Sequence, residues 1–231
     1  MKAPTKDQIL ELLAPYITDH KRDRIEAALL HRTYYVTIAL EDIYQSHNAS
    51  AVLRSCDCFG IQQINIIENR NQYQVNPDVA LGASKWVDLI KYNNPDIDNS
   101  QTCLDSLRKK GYRILATTPD QDAKDISTID INQRMAFFFG TELEGLSKSL
   151  LNKADERVRI PMYGFTKSFN ISVSAALIMH SITSRLHAEN HISWQVTPEE
   201  KMDLRLKWYR RIIKKSALLE KAFLEQIEKK G

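Results

Sequence analysis

The sequence predicts an α/β fold: a mainly parallel sheet with helices on both faces, extended by helices at both ends. Two observations carry this. Short β-rich runs alternate with helix-length segments, and strands that alternate with helices build parallel sheets covered on both sides. An apolar fraction of 43%, with nine Tyr, seven Phe and three Trp in 231 residues, is enough for a packed core. The length suits one α/β domain with added helices, or two small domains.

The elements follow in order. Residues 5–30 read as helical, and Pro15 divides them into a short helix and a second one starting near Thr18 or Asp19. YYVTIALED (34–42) is the first core strand. HNASAVLRSCDCFG (47–60) is a helix with Asn48 or His47 near its start and Gly60 as its stop. INIIE (64–68) is a strand, followed by an Asn- and Gln-rich loop and a strand at WVDLIKY (86–92). CLDSLRKKG (103–111) closes a helix, and YRILATT (112–118) is a strand. DQDAKDISTIDI (120–131) is loop with a short helical or extended piece. RMAFFFG (134–140) is a strongly apolar strand, TELEGLSKSLLNKA (141–154) a turn and helix, and RVRIP (157–161) a strand. A long helix is expected over 168–188. After a break at Asn190–Pro198 comes a basic helical tail.

The totals exclude several classes. No run approaches eighteen apolar residues, so no membrane span is expected, and MKAPTKDQILELL has no apolar leader. Cys56, Cys58 and Cys103 make no disulfide framework, and no Cys/His cluster completes a metal site. A reducing, cytoplasmic setting is the simple expectation. Net charge is +3, but residues 201–231 hold ten Lys/Arg against four Asp/Glu. That asymmetry suits a polyanionic partner, or equally a solubilising helix face.

Three stretches can carry chemistry. FFFGTELEG (137–145) brings a strand into Gly140 and leaves through Gly145. Glycines there permit a tight turn and close backbone approach. GxGxxG and GxxxxGK[ST] are absent, and Glu142 and Glu144 disfavour phosphate, so a neutral or cationic small ligand fits better. Read alone, the stretch is also an ordinary strand–turn–helix link. In HNASAVLRSCDCFG, Ala51, Val52, Cys56 and Phe59 supply helical apolar spacing. Arg54 there is either a surface ion pair with Asp57 or a phosphate- or hydroxyl-facing cation. IPMYGFTKSFNISVSAALIMH (160–180) opens an apolar helix with Thr166, Lys167, Ser168, Asn170, Ser172 and Ser174. Ser168 or Asn170 can cap that helix, which accounts for one polar residue and not six.

In this order the stretches resemble the three motifs of the TrmH-like 2′-O-ribose RNA methyltransferases of the SPOUT class. Asn48, Arg54 and Gly60 match the first motif, Asn–x5–Arg–x5–Gly; GTELEG (140–145) matches the second and IPMYGFTKSFNISVSAAL (160–177) the third. LGASKWVDL (81–89) resembles a further family stretch, and the likeness covers roughly residues 20–188. Phe169 stands where Leu is common, and Ser174 where Ala is frequent. The helical extensions and GASKW make the chain most similar to the members that methylate guanosine 18 of tRNA. The alternatives are a ribosomal RNA 2′-O-methyltransferase and a non-catalytic RNA-binding protein of the same fold.

The resemblance implies a SPOUT fold with a C-terminal trefoil knot, S-adenosylmethionine as cofactor, tRNA as substrate, no metal, and a homodimer. It implies a catalytic group of Arg54, Asn48, Asn170, Glu142 and Ser172, with Asn48 orienting Arg54 or the ribose. It places the cofactor against Phe139, Gly140, Thr141, Gly145, Ile160, Met162, Phe169 and Ile171. The basic extensions then become candidate RNA contacts: Lys21, Arg22 and Arg24 on one side, and Arg205, Lys207, Arg210, Arg211, Lys214 and Lys215 on the other. Trp208 and Tyr209 can stack on bases, although packing on a core is the commoner fate of such residues. The expected division is an N-terminal extension (1–32), a methyltransferase domain (33–188) and a basic C-terminal extension (189–231).

Overall fold

The structure, a computed structural model, describes residues 4–230, with side chains to residue 227. The outermost ends of the two expected extensions lie outside the described residues. The chain forms two compact units: residues 33–194, and a second unit built from residues 1–32 and 195–231.

The larger unit is a seven-stranded, all-parallel sheet. Its strands are β1 (Val36–Glu41), β2 (Gln63–Ile67), β3 (Asp88–Tyr92), β4 (Arg113–Thr117), β5 (Lys124–Asp125), β6 (Met135–Phe139) and β7 (Glu156–Arg159). They lie in the order β3-β2-β1-β6-β4-β7-β5. β6 therefore enters late, between β1 and β4, and β7 then takes the other side of β4. Helices α3 (Ser46–Cys58) and α7 (Ile171–Ala188) cover one face; α5 (Asn99–Lys109) and α6 (Lys148–Lys153) cover the other. Side-chain alternation along β6 serves both layers. Met135, Phe137 and Phe139 pack with α3 and α7, while Ala136 and Phe138 pack with α5 and α6.

Local differences from the sequence reading have local causes. The strand expected at WVDLIKY begins only at Asp88, because Ala83–Lys85 forms a 3-10 turn before it. The Asn/Gln-rich loop contains a one-turn helix, α4 (Pro77–Ala80), capped by the side chain of Asn76 and started by a proline. The helix expected from 168 starts at Ile171, because Asn170 is its N-cap.

The smaller unit is helical: α1 (Lys6–Leu13), a 3-10 turn at Ala14–Tyr16 that accommodates Pro15, α2 (Asp19–Leu29), α8 (Pro198–Ile212) and α9 (Ser216–Lys230). The basic helical tail comprises two helices, α8 and α9. Thr5 and Thr197 each close a capping box, on Gln8 and Glu200, which fixes where α1 and α8 begin. The core contains Leu13, Ile25, Leu29, Leu204, Trp208 and Tyr209.

Phe137 is fully buried in the face shared with α3 and α7. Phe137→Ala is expected to lower the unfolding free energy by about 3–5 kcal/mol, read by urea denaturation of the full chain.

Candidate active site

Strand direction decides where a site can form. In a parallel sheet all strands present their C-terminal ends to one edge, and ligands bind in the crevice there. Here the ends of β4, β6 and β7 and the start of α7 surround a cleft of about 530 Å³. All eight residues expected at a cofactor line it: Phe139, Gly140, Thr141, Gly145, Ile160, Met162, Phe169 and Ile171. The cleft also takes in residues the sequence reading did not assign to it, among them Thr117, Thr118 and Asp120 at and just beyond the end of β4, and Arg159 at the end of β7. Their only signal in the sequence is position at a strand end, which becomes informative once the strand order is known.

The turn after β6 is closed by its own backbone. Thr141 and Gly145 exchange two N–H···O bonds of 3.0 Å each, and Gly145 has φ +70°, which favours glycine. A Cβ on Gly140 would lie 2.0 Å from the carbonyl carbon of Gly145. The close backbone approach that requires glycine at 140 is thus made by the chain itself, across the turn.

Beside the cleft the three motifs meet in one chain of hydrogen bonds. Ser172 donates from Oγ to Asn170 Oδ1 at 2.6 Å, and its backbone N–H donates to the same oxygen at 2.9 Å. Asn170 Nδ2 donates to Asn48 Oδ1 at 3.3 Å. Asn48 Nδ2 donates to Glu142 Oε1 at 2.5 Å and to Gln45 Oε1 at 3.1 Å. Asn48 is buried, in the first turn of α3, whereas Glu142 and Asn170 are exposed. Four of the five expected catalytic residues are therefore joined. The fifth is not: Asn48 does not bond Arg54. Six residues along a helix is roughly 9 Å and about 240° of rotation, so the two side chains leave α3 in different directions. Arg54 is exposed. The serines separate as well. Ser168 and Ser174 line the cleft, while Ser172 belongs to the hydrogen-bonded chain.

The expected RNA contacts also separate by environment. Arg205 makes a two-pronged pair with Glu26 (2.5 and 2.6 Å), and Arg210 one with Glu220 (2.7 and 2.8 Å). Both guanidinium pKa values are raised, chiefly by these hydrogen bonds. Arg22 pairs with Asp19 and reaches the Ala14 carbonyl. These three arginines fasten the helical unit together. Trp208 and Tyr209 are buried, with Arg32 over the Trp208 ring, so of the two alternatives for them core packing is the one realised. Lys21, Arg24, Lys214 and Lys215 stand exposed, as does Arg211, and Lys207 is half-buried. Among the described residues, no group of three His, Cys, Asp or Glu is placed to hold a metal, and no helix is long and apolar enough to cross a membrane.

Gly140→Ala forces Gly145 and Leu146 away from the strand end. The expected cost is about 1–3 kcal/mol, with faster hydrogen exchange at the Gly145 amide. Unchanged stability and exchange would show that the turn is not closed as described.

Residues 35–180 match the model of the SpoU rRNA Methylase family. The chain is 44% identical over 209 residues to the tRNA (guanosine(18)-2′-O)-methyltransferase of Borreliella burgdorferi, covering 90% of this chain and 93% of that one. It is 31% identical over 195 residues to the enzyme of the same name from Thermus thermophilus, covering 84% and 98%. Among solved structures it is similar to the A. aeolicus TrmH/SpoU tRNA modifying enzyme, with a TM-score of 0.74 and 25% identity over 84% of this chain and 98% of that one. With its three motifs gathered at one edge of a parallel sheet, the chain belongs to the SpoU rRNA methylase family, in the TrmH-like branch of the SPOUT class.

Proposed function

We propose that this protein transfers a methyl group from S-adenosylmethionine to the ribose 2′-OH of guanosine 18 in tRNA. The observation that carries the reading is the hydrogen-bonded chain Ser172–Asn170–Asn48–Glu142 at the edge of the cleft. The relatives named tRNA (guanosine(18)-2′-O)-methyltransferase, matched over most of their length, support the substrate.

The cleft residues fit the cofactor. Ile160, Met162, Ile171 and Ile178 offer an apolar slot for a flat ring, and main chain at 140–145 offers fixed donors and acceptors. Glu142, Glu144 and Asp120 on the lining suit a ligand with a positive centre. S-adenosylmethionine supplies the electrophilic methyl group.

The protein's own residues must present the ribose and manage its proton. A ribose hydroxyl is a poor nucleophile at neutral pH. Arg54 carries an exposed guanidinium that, among the described residues, is held in no salt bridge. Arginine is an awkward base, because its ordinary pKa is about 12.5 or more. Its role here is to hold an RNA phosphate that accepts the 2′-proton, and to stabilise negative charge developing on the oxygen. Asn170 and Ser172 orient the ribose. Asn48 fixes Asn170 relative to Glu142 and so to the cofactor turn.

A homodimer is the assembly we infer. Val173 and Leu177, one helical turn apart, are exposed on α7, and Tyr163 and Phe165 are fully exposed just before it. Exposed apolar clusters of this kind mark association surfaces. The three free thiols, two of them buried, fit a reducing cytoplasm. For RNA, the exposed Lys21, Arg24, Lys214 and Lys215 are the leading phosphate contacts, in place of the acid-paired Arg22, Arg205 and Arg210.

Methyl transfer from labelled cofactor to total RNA, with mapping of the labelled nucleotide, tests the function. Label at guanosine 18 of tRNA is expected; label confined to ribosomal RNA would move the substrate, and no label would reject the reading. Arg54→Lys should lose nearly all turnover while binding cofactor normally, so near-normal turnover would remove Arg54 from the chemistry. Replacing Lys21, Arg24, Lys214 and Lys215 with Gln should weaken tRNA binding and reduce its salt slope by about one for each phosphate these side chains neutralise. Cofactor affinity should stay the same. An unchanged slope would exclude these side chains from the RNA interface.

A further inference from the structure

We propose that Arg70 is a positioning residue for the cofactor turn, holding the crown of that turn to the end of β1. The inference rests on the cofactor occupying the cleft and concerns a residue outside the three motifs that reaches into the second of them.

The turn's base is fixed by the Thr141–Gly145 backbone pair, and at its crown Asn48 holds Glu142 and Thr141 Oγ1 accepts the Glu144 N–H at 3.0 Å, which leaves the Glu144 side chain to be held. Leu143 at the crown is 98% exposed, and Glu144 beside it carries an exposed carboxylate. Arg70, just after β2, reaches Glu144 Oε2 from its Nη1 at 2.9 Å. The same guanidinium reaches Asp42 Oδ2 from Nε at 3.4 Å.

Asp42 is an unusually firm anchor. It is buried, sits at φ +52°, and its Oδ1 accepts the backbone N–H groups of Asn69 at 2.7 Å, Arg70 at 2.8 Å and Asn71 at 3.4 Å. An exposed ion pair between two mobile side chains contributes little. Here one carboxylate is held by main chain, so Arg70 starts from a fixed point and restrains only Glu144.

The far end of the turn is held by the neighbouring residue. Glu41 is buried and accepts from Ser147 N at 2.8 Å, Ser147 Oγ at 2.9 Å and Ser100 Oγ at 2.5 Å. Ser147 is the N-cap of α6, and Ser100 lies in the first turn of α5. A carboxylate at helix N-termini is favoured by their N–H groups and dipoles. α6 has six residues, too few to hold itself without such contacts. Glu41 and Asp42 thus fix the two ends of the 144–147 segment, and Arg70 is the side chain that transmits the restraint to Glu144. Being largely exposed, Arg70 can be replaced without opening the core.

The test uses the full chain with S-adenosylmethionine and unmodified tRNA. For Arg70→Met, Glu144→Gln, the double variant and Arg70→Lys, four quantities are measured: KM for each substrate, kcat, cofactor Kd by calorimetry, and the thermal midpoint. Arg70→Met is expected to raise cofactor KM and Kd about three- to tenfold, the range set by charge-assisted bonds that are partly solvated. The tRNA KM and the thermal midpoint, taken without cofactor so that weaker binding does not itself lower it, should stay unchanged. Glu144→Gln should raise cofactor KM and Kd at least as much, because it also removes a carboxylate from the cleft lining, the double variant should be no worse than Glu144→Gln alone, and Arg70→Lys should recover part of the loss. Unchanged cofactor affinity in Arg70→Met overturns the proposal. So does a rise in tRNA KM alone, which would make Arg70 an RNA contact, or a matching fall in thermal midpoint, which would make its role purely structural. Failure of the wild-type chain to bind S-adenosylmethionine would overturn the underlying reading as well, whereas binding by the wild type and equal binding by Arg70→Met would overturn only the strap.

Discussion

The amide of Asn48 is the constraint on which the site depends. It is buried, its two N–H bonds go to Glu142 and Gln45, and its oxygen accepts from Asn170. These bonds join α3, the turn after β6 and the cap of α7. A buried amide left without partners is costly, so the three segments are held together by the requirement to satisfy one side chain. Asparagine suits the place because it offers donors and an acceptor on one short, stiff side chain. Aspartate would lose the donors, and would face the carboxylate of Glu142 with a like charge.

Backbone geometry and charge do different work around this point. At the base of the cofactor turn the fit is steric, with Gly140 and Gly145 lying too close for a side chain on Gly140. At its crown the fit is electrostatic, through Arg70 between two carboxylates. The helical unit shows the same division. Its apolar core of Leu, Ile and Trp208 sets the packing, and the Arg205–Glu26 and Arg210–Glu220 pairs fix how its surfaces meet. A high count of basic residues is therefore a poor measure of the charge available to RNA. Much of it is already neutralised within the unit.

Most of the fold was legible in the sequence because both sheet and helices leave periodic traces. β6 reads as strand from MAFFF alone, and Pro15 marks a helix boundary through a rule that acts within a few residues. The cap of α7, left between Ser168 and Asn170 by the sequence, falls on Asn170, and the tail breaks after Ile212. At the site, the eight residues that the resemblance places at the cofactor all line the cleft, and they lie in two contiguous stretches whose motifs resemble a known family. Thr117, Asp120, Arg70 and Glu41 were not found. Each is an ordinary polar residue near a strand end, with no spacing that sets it apart.

The sequence by itself determined the alternation of strands and helices, the glycine turn after β6 and the polar cap of α7. These depend on backbone sterics, side-chain periodicity and short-range capping, all of which act between near neighbours in the chain. Only the tertiary structure decided that β6 lies between β1 and β4, that Asn48 meets Glu142 and Asn170 rather than Arg54, and which arginines are already paired. Those outcomes depend on bonds between residues 94, 122 and 179 positions apart, and no local preference encodes a partner at that distance.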